Sequence, residues 1–574
     1  MLCSKPSQFP SHRTERSSTM DSAWSEKDLP GYDARSVRSA STTSSGNTHV
    51  PPVVHYQANE RDVDRYRNSF GAIIDTTYMQ PGGDDVYDAK VKLLNEALLD
   101  MGMGRYQWLL TVVTGLGWFL DSFWMFSFAF IQPAVQNEAK FFTSNAALLT
   151  VCQYVGLTVG ASVLPMVSDF IGRKTVFNFS LALMCITGLI GAGMPTFTGL
   201  CVVATFMSIA AGGNQAVDSS IFLEIIPASH QYLLTMQGAY SGLGKLVAAL
   251  VSWPLISKYS CAADATPETC NYATNMGWRY AWWTLGAITC VFCIIRYFFT
   301  LHETPKFLLG QNRDADVVAT VTAIAHHNGR QTWLTLDAFQ HIEKIHGPPT
   351  LRATPANSSK ARLCLQPFRP SWLRTLFCTR NLRTSTTVLI VIWSLVGLAF
   401  PLHAAFVTRW LAARHPSTNA FSTSLTFQTH VYTALCAIPG PIVAGFLIET
   451  ERLGRKKTGA AATLLAGVLS FAYASARSKG DVIAWQCVLA FAQNAVVSLM
   501  FLYVAETFAA PVRGTGMGVV GAAGRAAGLV GALVVALCES SSSSAPVWVA
   551  SGCWIVAGAL WMALPYEMRA RASN

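Results

Sequence analysis

Two carboxylic acids, Asp218 and Glu224, lie within a long apolar stretch of the sequence, ATFMSIAAGGNQAVDSSIFLEIIP at 204–227. A charged side chain inside a lipid bilayer is costly, and acids found there usually have a function. On a helix the two acids are about 120° apart around the axis and about 9 Å apart along it, whereas Asn214 shares a face with Asp218. We therefore expect different functions for them, with Asp218 deep in the membrane and Glu224 at a helix end.

A third acid, Asp121, lies near the centre of another apolar run, GLGWFLDSFWMF. A carboxyl group withdrawn from water can bind and release a proton near neutral pH, which would couple transport to a proton gradient. Asp121 and Asp218 are therefore candidate proton-coupling residues, and His403 is a candidate member of a proton relay. The alternatives are a structural ion pair between Asp121 and Lys245, and a histidine that is merely hydrogen-bonded.

Two cations, Lys245 and Arg525, are also placed in the middle of apolar runs. Cations at that depth suggest a substrate with an anionic group, and pairing with Asp121 or Asp218 is the alternative. Further polar and aromatic side chains in such runs are candidate cavity residues or, equally, helix-packing contacts. They are Gln153, Asn214, Gln215, Trp393, Gln493 and Asn494.

The composition explains why these residues are in a membrane. Of the 574 residues, 51% are apolar and 13% are charged, whereas a soluble surface typically has about 25–35% charged residues. Apolar runs of spanning length recur twelve times, which predicts an all-α polytopic membrane protein. The net charge of +10 comes mostly from basic loops, so it indicates membrane topology and no nucleic-acid partner.

The basic loops also predict the orientation and the domains. Because loops rich in Lys and Arg stay in the cytoplasm, both termini are expected there. The expected location is the plasma membrane, with the protein a monomer in the lipid bilayer. Residues 91–108 are expected to form an amphipathic helix on the inner membrane surface. The predicted domains are a disordered tail at 1–90, a six-helix bundle at 91–301, a cytoplasmic linker at 302–382, a second bundle at 383–566 and a tail at 567–574.

An internal repeat relates the two bundles. DFIGRK begins at Asp169 and ERLGRK at Glu451, while Glu224 and Glu506 end two apolar runs, so both pairs are 282 residues apart (451 − 169 and 506 − 224). Because each unit has an even number of spans, both copies cross the membrane in the same direction.

These motifs resemble a known family. SDFIGRK and its copy ETERLGRK are similar to the signature loop of the major facilitator superfamily, and ETPKFL at 303–308 resembles the ESPRFL element of its sugar-porter branch. MGMGRYQW, GLGWFLDSFW and GGNQAVDSSIFLEIIP resemble fungal members of the organic-solute branch related to synaptic-vesicle transporter-like proteins. The resemblance implies the major facilitator fold: twelve helices in two six-helix bundles around a central cavity.

The resemblance also implies a charge cluster that closes the cytoplasmic side. The alternative is that these charges only anchor helix ends at the lipid headgroups. The candidate gate residues are Asp169, Arg173, Lys174 and Glu224 in the first half, and Glu451, Arg455 and Glu506 in the second.

Cysteines and glycines do not indicate a cofactor site. The 14 cysteines have no metal-binding spacing, and the Gly-rich stretch at 513–533 lacks the GK[ST] of a nucleotide loop. Cys261 and Cys270 share an outer loop where a disulfide is possible, but spacing alone does not fix the pairing. We therefore expect no metal, no cofactor and no enzyme activity.

The sequence thus predicts a secondary active transporter that works by alternating access. Its expected reaction is proton-coupled uptake of a small organic solute, either an organic acid or a sugar-like compound. The alternatives are a proton-antiport efflux pump for a drug or secondary metabolite and, with the long N-terminal tail in mind, a non-transporting nutrient sensor.

Overall fold

The computed structural model describes residues 85–136, 138, 147–261, 270–347, 370–414, 423–476, 478–537 and 545–568, together with two short strands. The strands β1 (Arg65–Arg67) and β2 (Ile73–Asp75) pair in antiparallel register. They lie in the segment predicted to be disordered, 1–90, and the remainder of that segment up to residue 84 is outside the described residues.

Six membrane helices build the N-terminal bundle, after a helix that precedes it. The preceding helix is α1 (Asp85–Met101), and the bundle consists of α2 (Arg105–Gln136), α3 (Ala147–Ile171), α4 (Arg173–Ile190), α5 (Phe197–Ile225), α6 (Leu233–Met236) continued by α7 (Gly238–Tyr259), and α8 (Gly277–Phe298). The described runs are long and apolar enough to cross a membrane.

The described parts of the linker between the bundles, 302–347 and 370–379, contain four shorter helices. They are α9 (Pro305–Gly310), α10 (Asp314–His327), α11 (Leu336–His346) and α12 (Pro370–Thr375). The C-terminal bundle follows with α13 (Arg380–Arg414), α14 (Thr423–Ala437), α15 (Pro439–Leu447), α16 (Gly454–Tyr473), α17 (Lys479–Thr507), α18 (Ala510–Leu537) and α19 (Ala545–Leu560). Together α14 and α15 make one membrane crossing.

Among the described residues, eleven helices pass a test of length and hydropathy for spanning, and α16 completes the predicted twelve. Three basic residues, Arg455, Lys456 and Lys457, open α16 and reduce its apolar length. It nevertheless packs closely on α19, because Cβ atoms added at Gly459 and Gly467 would lie 2.6 Å from Trp561 and 2.7 Å from Ile555. The expected fold of two six-helix bundles is confirmed.

The repeat is visible in the helix ends. Residues 197–225 form α5 and residues 479–507 form α17, so each end is displaced by 282 positions (479 − 197 and 507 − 225). The residues before them, Thr196 and Ser478, are also 282 apart, and both cap their helix by accepting a hydrogen bond from a backbone N–H. The same local signal therefore starts the corresponding helix in each half.

The two bundles contact each other along two seams, where α3 packs on α18 and α7 packs on α14. Small residues permit the close approach. A side chain at Gly514 would collide with the Pro165 carbonyl across the first seam, and one at Gly242 would lie 2.9 Å from Ile438 across the second. The side of the molecule where α2 begins and the two GRK loops lie, 172–174 and 454–456, is called the basic side below.

The helix α1 differs from the expectation. It begins at Asp85, before the predicted boundary at 91, and ends at Met101, where Gly102 adopts φ 63° ahead of α2. An apolar stripe that includes Val91, Leu94 and Leu98 is buried, and α1 packs on the linker helices α9 and α11. The apolar face of α1 is therefore covered by other helices of the protein, and not by the membrane surface that the sequence predicted.

Candidate transport pathway and gate

The carboxylate of Asp121 lies half-way along α2 and is 4% exposed. Neither of its oxygens has a hydrogen-bond partner of good geometry among the described residues, although the Asn214 side chain and the Gln215 backbone are close by. Buried polar atoms are rarely left in this state. An acid without such partners in the middle of the membrane is available to a proton or a ligand.

The second central acid, Asp218, lies inside the N-terminal bundle and is fully buried. The Asn214 Nδ2 donates to Asp218 Oδ2 at 3.0 Å, and Ser180 Oγ of α4 donates to Asn214 Oδ1 at 2.8 Å. A Cβ at Gly117 of α2 would collide with the Asp218 carboxylate. The shared face of Asn214 and Asp218 therefore holds a polar network that joins α2, α4 and α5.

The cation Arg525 lies on α18, in the C-terminal bundle, and its charge acts on Asp121 and on Tyr154 of the N-terminal bundle. No carboxylate of the described chain is within ion-pair distance of its guanidinium. The positive charge of Arg525 thus acts on Asp121 from the other bundle, although the two side chains form no direct salt bridge.

The cation Lys245 lies at the second seam. Its Nζ donates to Thr433 Oγ1 of α14 at 3.1 Å and is 4.6 Å from the ring centre of Phe126. Within the described part of the chain it forms no ion pair with Asp121 or Asp218, the alternative left open by the sequence. Its described contacts are thus a hydroxyl and an aromatic ring, and no described carboxylate pairs with it.

Three further predicted cavity residues, Asn494, Gln153 and Gln493, differ in their contacts. Asn494 Nδ2 donates to the carbonyls of Gly238 (3.0 Å) and Ala437 (2.8 Å), so it joins the bundles. Gln153 Nε2 donates to Met125 O at 3.1 Å and is a packing contact within the N-terminal bundle. The amide nitrogen of Gln493 has no partner among the described atoms.

An aromatic cluster crosses between the bundles. The ring of Phe501 on α17 lies 4.8 Å from Trp393 and 5.1 Å from Trp118 of α2, in edge-to-face geometry. Both indole nitrogens lack a partner in the described chain. The sequence identified Trp393, but it gave no signal that selected Trp118 or Phe501 from the other aromatic residues.

The proposed relay residue His403 lies elsewhere. It is 8% exposed, its ring is 5.1 Å from that of Tyr473 on α16, and its Nδ1 has no described partner. The structure therefore places His403 within the C-terminal bundle against Tyr473, and not beside Asp121.

On the basic side, Asp169 joins the bundles. Its carboxylate accepts hydrogen bonds from the backbone N–H of Gly514 (3.0 Å) and Thr515 (2.7 Å) and from the Thr515 hydroxyl (2.8 Å). These residues lie close to the start of α18, where the helix dipole also favours an anion. Asp169 thus fastens α3 to α18.

Glu224 makes the second connection. Its Oε1 accepts from Arg513 Nη1 of α18 at 2.9 Å and from Arg173 Nη2 at 3.3 Å, and its Oε2 accepts from the Thr304 hydroxyl at 2.5 Å. Arg173 also contacts Asp169 at 3.2 Å and donates to the Ala510 carbonyl. The structure is therefore closed on the basic side. Arg513 and Thr304 join the same charge cluster as the candidate gate residues Asp169, Arg173 and Glu224, which the sequence had supplied.

The corresponding charges of the second half are arranged differently. Arg455 pairs with Glu449 at 3.0 Å and with Glu506 at 3.3 Å, all within the C-terminal bundle. The predicted partner Glu451 is exposed. The helix α15 ends at Leu447, so Glu451 lies in the turn beyond it, whereas Asp169 lies inside α3 one turn before Arg173. Glu449 therefore replaces Glu451 in this cluster.

Two glutamates outside the repeat motifs cap the GRK helices. Glu303 accepts from the backbone N–H of Arg173 (3.0 Å) and Lys174 (3.4 Å), and Glu567 accepts likewise from Arg455 (2.8 Å) and Lys456 (3.1 Å). Burial raises the pKa of the Glu303 carboxyl, and the neighbouring Arg173 opposes this rise. The side chain of Lys174 is exposed, so this residue contributes its backbone.

Glycine is required immediately before each of these two capped N–H pairs. Gly172 has φ 108° and Gly454 has φ 64°, a region that other residues rarely adopt. A Cβ at Gly172 would collide with Glu303, and one at Gly454 would lie 2.8 Å from the Glu567 carboxyl carbon. The predicted C-terminal tail thus begins, at residue 567, with a residue that holds α16.

Comparison with known proteins identifies the family. The family model described as Major Facilitator Superfamily matches residues 108–427. A protein named MFS siderochrome iron transporter 1, from Ceriporiopsis subvermispora, is 38% identical over 491 residues, which are 85% of this chain and 93% of the relative. This chain belongs to the Major Facilitator Superfamily.

Other similarities agree with this assignment. Major facilitator-type transporter hxnZ of Emericella nidulans is 34% identical over 496 residues, covering 85% of this chain and 89% of the relative. The solved structure of the proton:xylose symporter XylE with a bound bromodeoxyglucose has a TM-score of 0.62 at 14% identity, covering 82% of this chain and 98% of that one. At that identity the structure supports the fold alone. The chain is a membrane transporter and not an enzyme.

On the side opposite the basic side, a further buried ion pair braces the transporter. Arg279 of α8 binds Glu138, just beyond α2, through two hydrogen bonds of 2.8 Å. Asn275 donates to Glu138 and accepts from the backbone of Cys261, which is joined to Cys270 by a disulfide. Sequence reasoning had not selected Glu138 or Arg279, because neither lies in a recognisable motif.

Proposed function

We propose that this transporter couples the binding of a proton at Asp121 to the movement of a small organic acid between its two bundles. One observation carries the proposal. The Asp121 carboxylate is 4% exposed, lies half-way through the membrane helix α2 without a described hydrogen-bond partner, and is faced by Arg525 from the other bundle.

This position makes the charge of Asp121 sensitive to conformation. While the bundles are together along the first seam, Arg525 stabilises the ionised carboxylate. When they rock apart, that stabilisation is lost, and a buried anion is favourable only if a proton neutralises it. Proton binding and the rocking motion are then linked, because the proton favours one arrangement of the bundles over the other.

The solute class follows from the other charges near the middle of the membrane. Arg525 and Lys245 lie on different bundles, and neither is paired with a carboxylate among the described residues. An acidic solute would provide the missing negative charge. The indole nitrogens of Trp118 and Trp393 add two donors without described acceptors, which suit its remaining oxygens.

The basic side is proposed to face the cytoplasm, and the membrane is proposed to be the plasma membrane. The GRK loops and much of the linker lie on this side, as expected for loops retained in the cytoplasm. The structure would then be closed toward the cytoplasm. Asp218 and its network are proposed to serve as an inner proton site on the same route.

Reconstituted vesicles provide the test. The purified protein is placed in liposomes that contain a pH-sensitive dye, and proton entry is followed as organic acids, neutral sugars and iron siderochromes are added, the last because the C. subvermispora relative is named for them. Wild type is compared with Asp121→Asn, Arg525→Gln and the control Asp316→Asn. Asp316 forms an exposed ion pair with Arg313, and such pairs contribute little.

We expect an acid to drive proton entry in wild type and in Asp316→Asn, but not in Asp121→Asn. With Arg525→Gln, the apparent affinity for the acid should fall. Solute accumulation that ignores the pH gradient and survives Asp121→Asn would overturn the coupling. Proton movement out of vesicles against solute entry would instead identify the antiport alternative, and proton entry with neutral sugars alone would exclude an acidic solute.

A further inference from the structure

The helix α1, ahead of the first membrane helix, is attached to the linker by a buried cation. Lys90 is 2% exposed, and its Nζ lies 2.5 Å from Asp314 of α10 and 2.6 Å from Glu343 of α11. It also lies 5.9 Å from the ring centre of Phe339. Lysines are almost never this buried unless paired. Lys90 therefore fixes α1 to two linker helices at once.

The far end of α1 is held by the loop that follows α10. Arg330 donates to the Met101 carbonyl, where α1 ends. The Asn328 side chain accepts from the Tyr106 N–H at 2.9 Å and donates to Gln107 Oε1 at 2.8 Å, both at the start of α2. The linker thus holds both sides of the junction between α1 and α2.

The first turn of α1 reaches the gate. Tyr87 is 5% exposed, and the charges of Glu224, Arg513 and Arg173 all act on its hydroxyl. Burial raises the pKa of the Tyr87 phenol, and Glu224 adds to the rise, so the ring stays neutral beside the gate. Its hydroxyl has no partner among the described atoms.

The linker helix α9 lies between α1 and the C-terminal bundle. A Cβ at Gly310, the last residue of α9, would be 3.6 Å from Pro511 of α18 and 3.9 Å from the Tyr87 ring. Tyr87, Gly310 and Pro511 therefore meet at one point. The start of α18, with Pro511, Arg513 and Thr515, is the segment that leaves the N-terminal bundle when the basic side opens.

We infer that α1 is a latch for the gate: docked through Lys90, it holds α9 against the start of α18 and favours the state closed on the basic side. Contacts that are complete only in the closed state stabilise that state alone and shift the equilibrium toward it. The inference rests on the alternating access of the proposed function, but not on its solute or its coupled proton.

Hydrogen–deuterium exchange of the full-length protein in lipid nanodiscs tests the latch. Exchange is followed by mass spectrometry in α1 (85–101) and at the start of α18 (510–517), for wild type, Lys90→Gln, Lys90→Arg and the control Asp316→Asn. Lys90→Gln should accelerate exchange in both segments, by about tenfold or more, since loss of a buried pair shifts an equilibrium by over an order of magnitude. Lys90→Arg and Asp316→Asn should stay near wild type.

Faster exchange in 85–101 alone would overturn the inference, because α1 would then leave without any effect on the gate. Unchanged exchange in both segments would overturn it as well. If Lys90→Gln does not fold, the double variant Asp314→Asn with Glu343→Gln removes the same attraction from the linker side and is read in the same way. The measurement needs no solute and no pH gradient. The latch can therefore be supported when the coupling proposal fails, and it can be overturned when the coupling proposal is supported.

Discussion

Arg513 donates a hydrogen bond of 2.9 Å to Glu224 across the two halves of the transporter, although 289 positions separate these residues in sequence. Both side chains are fully buried. Removing one member of a buried ion pair leaves an uncompensated charge and costs about 3–5 kcal/mol. Loss of either partner is therefore expected to weaken closure on the basic side.

The replacement Arg513→Met should lower the melting temperature of the purified transporter. The same replacement should lower the melting temperature less when it is made in the Glu224→Gln variant. The single variant leaves Glu224 ionised with Arg173 as its remaining charged partner, whereas the double variant removes the Glu224 charge as well. Thermal unfolding of the four proteins in detergent gives a double-mutant cycle, with an expected coupling of about 0.5–3 kcal/mol. Additive effects of the two replacements would show that the residues do not act as a pair.

Gly172→Ala should destabilise the protein, because the residue has φ 108° and its new methyl group would collide with the Glu303 carboxylate. The cost should exceed about 1 kcal/mol. Gly552→Ala is the matched control, since it lies inside α19 with no atom within 4 Å of an added Cβ, and it should stabilise by about 0.5–1 kcal/mol. Equal melting temperatures of the two variants would contradict this account of the GRK loop.

Gly117→Ala tests the position of Asp218 inside the N-terminal bundle. The added methyl group would collide with the Asp218 carboxylate, and overpacking of this kind costs about 1–3 kcal/mol. In an Asp218→Ser background, where the side chain is shorter, the same replacement should cost markedly less. The comparison uses thermal unfolding, and an equal loss in both backgrounds would show that Asp218 does not pack on Gly117.

Closure on the basic side should depend on pH through Lys306 of α9. Burial lowers the pKa of the Lys306 ammonium from 10.5 to about 7, Arg513 adds to the shift, and Glu224 opposes it. If opening returns the pKa toward its usual value, the open state binds more protons between about pH 7 and pH 10.5. Closure should then strengthen as pH rises through that window, by at most about 1.4 kcal/mol per pH unit, with no further change below it.

Energy transfer between fluorophores introduced as unnatural amino acids at the exposed positions Lys174 and Arg452 measures the separation of the halves on this side. The closed fraction should rise between pH 7 and pH 9 in the otherwise unaltered protein. Lys306→Met should flatten that rise, because it removes the titrating group. If the closed fraction of Lys306→Met changed with pH as it does with Lys306 in place, the pH dependence would belong to other groups.

The duplicated helices could be predicted from sequence, because their signals are local. Apolar length and the offset of 282 positions anticipated α5 and α17, and the caps Thr196 and Ser478 obey the same offset. Asp169, Arg173 and Glu224 were likewise selected by their motifs. Their contacts confirm a closed arrangement of these groups, while their role in gating stays a prediction.

What sequence could not predict is the choice of partners across the fold. Arg513 lies in an apolar, Gly-rich helix and has no equivalent in the motif of the other half, so only the packing of α18 on α3 brings it to Glu224. Helix geometry separated Asp218 from Glu224, but it could not tell that Gly117 would receive the Asp218 side chain. The offset also named Glu451, because it counts positions and ignores where α15 ends.

The unequal use of the two charge clusters has a mechanical consequence. The acids of the first half fasten the start of α18, whereas Arg455, Glu449 and Glu506 stay within their own bundle. Ionic attachment among the described residues of the basic side is thus concentrated along one edge of the molecule, while the hydrogen bonds from Lys245 to Thr433 and from Asn494 to Gly238 join the other edge nearer the centre. Because the attachment is uneven, one edge of the basic side would resist separation of the bundles more than the other. Opening would therefore combine a rotation of one bundle against the other with their separation.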